Sequence, residues 1–146
     1  MNGNTNEIRP EEFYKKLLDY RQQEGLATSH MGIRVTDAAP GWARGEMNFE
    51  KYHLNPIGSV HGGVIFFLAD SVGGTAACTR GSVVTTSNGM IHYLKPAINP
   101  KKLIAEAEEI KAGKNILIYD VYIRTEDDTL IAKATMEYYS MHKSIL

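Results

Sequence analysis

The sequence predicts an α+β domain in which a mostly antiparallel sheet wraps one buried helix. Three observations predict it. Six segments read as strands, several with strict alternation of apolar and polar residues. One stretch, 59–78, abandons that alternation and is apolar on nearly every side. The order is helix, two strands, buried helix, four strands, so the only body available to cover the apolar helix is the sheet.

The elements follow in order. Residues 1–8 are polar and rich in Asn, and are expected to fray. Pro10-Glu11-Glu12 reads as a helix start, with Pro at the first helical position and acids in the first turn. Phe13, Leu17 and Tyr20 follow at helical spacing, with Tyr14 and Leu18 beside them, and Gly25 is the expected stop. Residues 1–30 are thus a tail and a short helix, and 31–146 a single folded domain. From Met31 the period becomes two: Met31, Ile33 and Val35 alternate with Gly32, Arg34 and Thr36. Pro40-Gly41 marks a turn, after which Ala43, Gly45, Met47 and Phe49 alternate with Arg44, Glu46, Asn48 and Glu50. Beyond the apolar helix, strands are expected over 83–94, 102–110, 116–124 and 130–140, the last with Leu130, Ala132, Ala134 and Met136 on one face.

Composition sets limits. The 146 residues are 43% hydrophobic and 23% charged, a size that suits one domain. With 16 Lys+Arg against 17 Asp+Glu, the net charge of -1 removes the bulk-charge argument for nucleic acid or an anionic membrane. The single cysteine, Cys78, excludes an internal disulfide and a multi-cysteine metal cage. The apolar run from Val64 to Ala69 stops at Asp70, too short for a bilayer span, and residues 1–7 do not resemble a signal peptide. The expectation is a soluble, cytoplasmic protein.

Two features of the central helix invite chemistry. Asp70 is an ionisable group in an apolar helix, either a buried carboxylate satisfied by backbone N–H groups or a hydroxyl, or a functional acid. Gly62-Gly63 at the helix start either packs tightly on the sheet or offers bare N–H groups to a developing oxyanion.

The pattern His53-x-Asn55-x-x-Gly58-x-x-His61-Gly62-Gly63, followed by Leu68-Ala69-Asp70, resembles the signature of hotdog-fold thioesterases of the phenylacetate-degradation (PaaI) type. Tyr93-Leu94-Lys95-Pro96-Ala97, Ala112-Gly113-Lys114 and Leu130-Ile131-Ala132-Lys133-Ala134-Thr135 also match habitual positions of that family, so the resemblance runs from about Met31 to Tyr139. It implies a hotdog fold and hydrolysis of an acyl-CoA thioester, with coenzyme A as part of the substrate and no separate cofactor. It further implies Asp70 as general base or nucleophile, Gly62 as the N–H that polarises the thioester carbonyl, and Asn55 and His61 as orienting groups. A Ser or Thr from the strand after the helix would fall near Thr86. Ser87-Asn88-Gly89 puts turn-forming residues in mid-strand, which suggests a bulge and leaves Thr85 and Thr86 both open. Gly63, Phe67 (with Phe66), Lys95, Gly113 and Lys114 are the expected substrate contacts, the lysines for phosphates. Aryl and medium-chain acyl groups both suit the aromatic lining.

Spacing adds a point of its own. His61 and Asp70 are nine residues apart, so they face opposite sides of a helix and lie ~13 Å apart along it. Two chains with antiparallel central helices would bring Gly62 of one to Asp70 of the other, which predicts a homodimer, with a dimer of dimers as further association. The five histidines lack metal-ligand spacing, and Cys78 reads as packing. Gly73 and Gly74 permit close approach either to the sheet or to a bound acyl chain. The competing functions are a non-hydrolytic acyl-CoA-binding protein and a hotdog hydratase.

Overall fold

All six segments that read as strands form strands, and they join one antiparallel sheet. The computed structural model describes residues 9–146; the stretch expected to fray lies outside the described residues. In chain order come helices α1 (Glu11–Arg21) and α2 (Ala27–His30), strands β1 (Ile33–Ala39) and β2 (Trp42–Asn48), the central helix α3 (Gly62–Cys78), and strands β3 (Ser82–Tyr93), β4 (Lys102–Ala112), β5 (Ile116–Thr125) and β6 (Leu130–Ser144). The sheet order is β1-β2-β4-β5-β6-β3.

The differences from expectation are local. Pro10 caps α1 rather than opening it, and α1 stops at Arg21 because Gln22-Gln23-Glu24 offers nothing apolar to continue the stripe. Gly25 turns the chain with φ +82 into the short α2, which has no sequence signature of its own. At the start of β6 both Ile131 and Ala132 are buried, because the pairing with β5 shifts register between Ile123 and Arg124.

Small residues on the inner face set the helix depth. Ala43, Ala105, Ala107, Ala132 and Ala134 are fully buried beneath α3. A Cβ on Gly45 would come within 2.7 Å of Val72 Cγ2. Gly73 lies against Tyr138, whose hydroxyl occupies the place a Cβ would take, and donates to the Asp70 carbonyl at 3.0 Å. The sheet therefore explains Gly73. Leu68 and Val72 are completely buried, and each such side chain contributes roughly 1.5–3 kcal/mol through removal from water.

The far end of α3 is pinned as well. Thr79 Oγ1 accepts from Gly41 N–H at 2.9 Å, and Gly41 C=O accepts from Glu109 N–H at 2.9 Å. Arg80 forks onto Glu109 at 2.7 and 2.8 Å, and the buried Tyr119 hydroxyl donates to the same carboxylate at 2.9 Å. Burial and the Glu109 charge push the Tyr119 phenol far above its ordinary range. The opposite sheet edge is β3, paired among the described residues only with β6 and largely exposed along its length.

Candidate active site

The loop between β2 and α3 is built to aim the helix N-terminus. His53 is fully buried; its Nδ1 accepts from Glu50 N–H at 3.0 Å and its Nε2 donates to Met31 C=O at 3.0 Å, which fixes the Nε2–H tautomer. The His53 carbonyl in turn accepts from His61 N–H at 2.8 Å. Asn55 Oδ1 accepts from Ile57 and Ser59 N–H at 3.1 and 3.0 Å, and its Nδ2 donates to Ser59 Oγ at 2.8 Å. Asn55 therefore spends most of its hydrogen-bonding capacity shaping the turn, with one Nδ2 proton left over. Gly58, at φ +89, closes that turn in a conformation few other residues accept.

His61 is the N-cap of α3, its Nδ1 accepting from Gly63 N–H at 2.8 Å. The N–H groups of Val64 and Ile65 bond to the His61 carbonyl. Gly62 N–H is the first-turn donor left without an acceptor among the described residues. The positive end of the helix dipole adds to its attraction for an oxyanion. Gly62 also fits closely under Tyr93, whose hydroxyl donates to Gly62 C=O at 2.7 Å; a Cβ at Gly62 would come within 3.0 Å of that ring.

Asp70 sits two turns further along. Its Oδ1 accepts from Thr86 Oγ1 at 2.8 Å, and the Tyr138 hydroxyl, bonded to the Asp70 carbonyl, also interacts with the carboxylate. Of the two candidate threonines, Thr86 is the one bonded to Asp70. Ser87 is the extra residue of a bulge, since pairing with β6 shifts between Thr86 and Asn88. Gly89, just beyond, leaves room for Phe66, whose ring edge would be 2.6 Å from a Cβ there.

These groups fall into two separate clefts. One, of about 430 Å³, is lined by Asp70, Thr85, Thr86, Gly63, Phe66 and Phe67, and by Arg21, Thr28, Ser71, Gly74, Val84 and Tyr138. The other, of about 350 Å³, holds Gly62, Asn55, Ser59, Tyr93 and Lys95. His61 and, on the β4–β5 turn, Lys114 stand exposed and the neighbouring Gly113 half-buried, and none of the three lines either cleft. Among the described residues no three His, Cys, Asp or Glu side chains converge as metal ligands, and no helix is long and apolar enough to cross a membrane.

Sequence reading missed Arg21, Ser71 and Tyr138. Tyr138 was accessible in principle, as the next inward position after Met136 in the β6 alternation. Arg21 carries no signal beyond being a basic residue in the last turn of α1.

The thioesterase superfamily model matches residues 57–132. A protein named as an esterase in Archaeoglobus fulgidus is 30% identical over 88% of this chain and 84% of its own length. The acyl-coenzyme A thioesterase PaaI of Escherichia coli is 29% identical over 70% of this chain and 73% of its own. The solved structure of the E. coli PaaI protein superposes with a TM-score of 0.79 at 26% identity, covering 89% of this chain and 99% of that one. Sheet, central helix and sequence agree: the chain belongs to the thioesterase superfamily, as a hotdog-fold thioester hydrolase of the PaaI type.

Proposed function

We propose that the protein hydrolyses acyl-CoA thioesters at a site shared between two copies of the chain. The observation that carries this reading is the separation of complementary groups. The oxyanion donor Gly62 lines one cleft and the carboxylate Asp70 another, eight residues along the same helix. Neither half is complete for acyl transfer. Antiparallel packing of two α3 helices would set Gly62 of one protomer against Asp70 of the other, and the exposed β3 edge is a strand available for such pairing.

In this reading Thr86 holds Asp70 Oδ1 and leaves Oδ2 to take a proton from water. The resulting hydroxide adds to the thioester carbonyl carbon, and the oxygen charge is held by Gly62 N–H of the partner. Collapse of the tetrahedral intermediate breaks the C–S bond, and the sulfur leaves with its electron pair as the CoA thiolate. The products are the free acid and CoA, and water is the only co-reactant. Asn55 and His61 act chiefly by holding the donor in place, through the turn and the cap. Lys95, beside Gly62, and Lys114, at the β4–β5 turn, are the proposed phosphate contacts.

The test is turnover of a panel of aryl- and straight-chain acyl-CoAs by wild type and Asp70→Asn. The substitution is expected to lower kcat by about 10² or more while the protein remains folded and binds CoA esters. Wild type that binds acyl-CoA yet hydrolyses none would instead favour a binding protein.

A further inference from the structure

The cleft that holds Asp70 also holds a cation with no paired carboxylate among the described residues. Arg21, at the end of α1, lays its guanidinium on α3: Nε donates to Thr75 Oγ1 at 3.1 Å and Nη2 to Ser71 C=O at 3.3 Å. Both Nη1 protons and one on Nη2 have no acceptor, and no carboxylate pairs with the group, among the described residues. The side chain is half-buried and lines the cleft. Leaving a half-buried cation without a counter-charge is unfavourable unless something else supplies one.

Its position is defined by Gly74. A Cβ there would come within 2.9 Å of Arg21 Nη2, so the missing side chain is what seats the guanidinium against the helix. Gly74 lies four residues beyond Asp70 and shares its face, so the cation and the carboxylate line the same cleft. The apolar walls of Phe66 and Phe67 lie on the other side of Asp70.

We propose that Arg21 sets acyl specificity by pairing with a carboxylate at the far end of the acyl group, making the preferred substrates monothioesters of dicarboxylic acids. This rests on the reading of the Asp70 cleft as the thioester site. A carboxylate suits the free edge of a guanidinium better than any neutral group, because two parallel N–H donors meet two oxygens. The cleft of about 430 Å³ has room for a short diacid acyl group, and the guanidinium offsets the repulsion between its far carboxylate and Asp70.

The experiment compares kcat/KM for adipoyl-CoA and hexanoyl-CoA, which have equal carbon number, in wild type, Arg21→Met and Gly74→Ala. Wild type is expected to prefer adipoyl-CoA. Arg21→Met should lower adipoyl turnover about tenfold or more and leave hexanoyl within about twofold. Gly74→Ala, which displaces the guanidinium while keeping its charge, should shift the ratio the same way by less, and serves if Arg21→Met does not fold. Equal losses on both substrates would mean a grip on CoA or a purely structural clamp, and would overturn the proposal. So would a wild type without adipoyl preference. Absence of turnover on every thioester would instead sink the underlying site reading.

Discussion

Thr86 reaches Asp70 because one residue is extra in β3. Counting inward from Ile91 and Gly89 by twos leads to Ser87 and Thr85. The bulge at Ser87 moves the count by one, so Thr86 stands opposite the inward-facing Tyr138 and shares its face. A period-two pattern cannot say on which residue a bulge falls, which is why the sequence left Thr85 and Thr86 both open. Asp70 and Gly62 stand out in the sequence because each departs from the local rule for a buried helix or its start, whereas His61 enters only through the family resemblance. The capping role of His61 was not legible, since it depends on a rotamer. Thr86→Val removes one hydrogen bond to the carboxylate and is expected to lower kcat roughly tenfold. Thr86→Ser should retain most activity, and Thr85→Val should cost far less than Thr86→Val. Steady-state kinetics on one good acyl-CoA decides, and equal effects at 85 and 86 would contradict the pairing.

At the scale of elements, α3 is held at its depth by contact with β6 rather than by helix propensity. Gly73 costs the helix about 1 kcal/mol relative to Ala in propensity, so Gly73→Ala would be stabilising if nothing lay above it. Tyr138 does lie above it, and the substitution is expected to destabilise the protein by about 1–3 kcal/mol in urea unfolding. Tyr138→Phe in the same chain should restore part of that loss by removing the overlapping hydroxyl. The elements themselves were largely readable: the β2 and β4 alternations, that of β6 from Ala132 onward, and the all-apolar α3 appear where the periodicity puts them. α2 was not readable, because its Ala27-Thr28-Ser29-His30 core carries no apolar stripe and is set by the turn at Gly25. The place of Arg21 on α3 was equally invisible, since it depends on how α1 docks.

The whole molecule, in the proposed reading, is a pair whose sites each draw on both chains, and this can be tested without a structure of the pair. Gly62→Pro removes the oxyanion N–H at a first-turn position whose backbone accepts Pro, with the Tyr93 ring giving way by a few tenths of an ångström to the added carbons, so it should inactivate the enzyme, as Asp70→Asn is expected to. Unfolding the two inactive variants together and refolding them as a mixture produces mixed dimers. In each, one site carries both lesions and the other carries neither. Activity should return to roughly a quarter of wild type, from half the dimers with one intact site each. A mixture that stays inactive would place each site within one chain. The sheet order has a consequence in time as well as in space. β3 and β6 are neighbours, yet β4 and β5 lie between them in sequence, and β6 supplies Tyr138, the cover over Gly73. During synthesis α3 emerges long before β6, so a helix apolar on nearly all sides waits in the nascent chain for its last wall. Over that interval the apolar helix is only partly covered by its own sheet, and exposure to aggregation is expected to be greatest when translation pauses between β3 and β6.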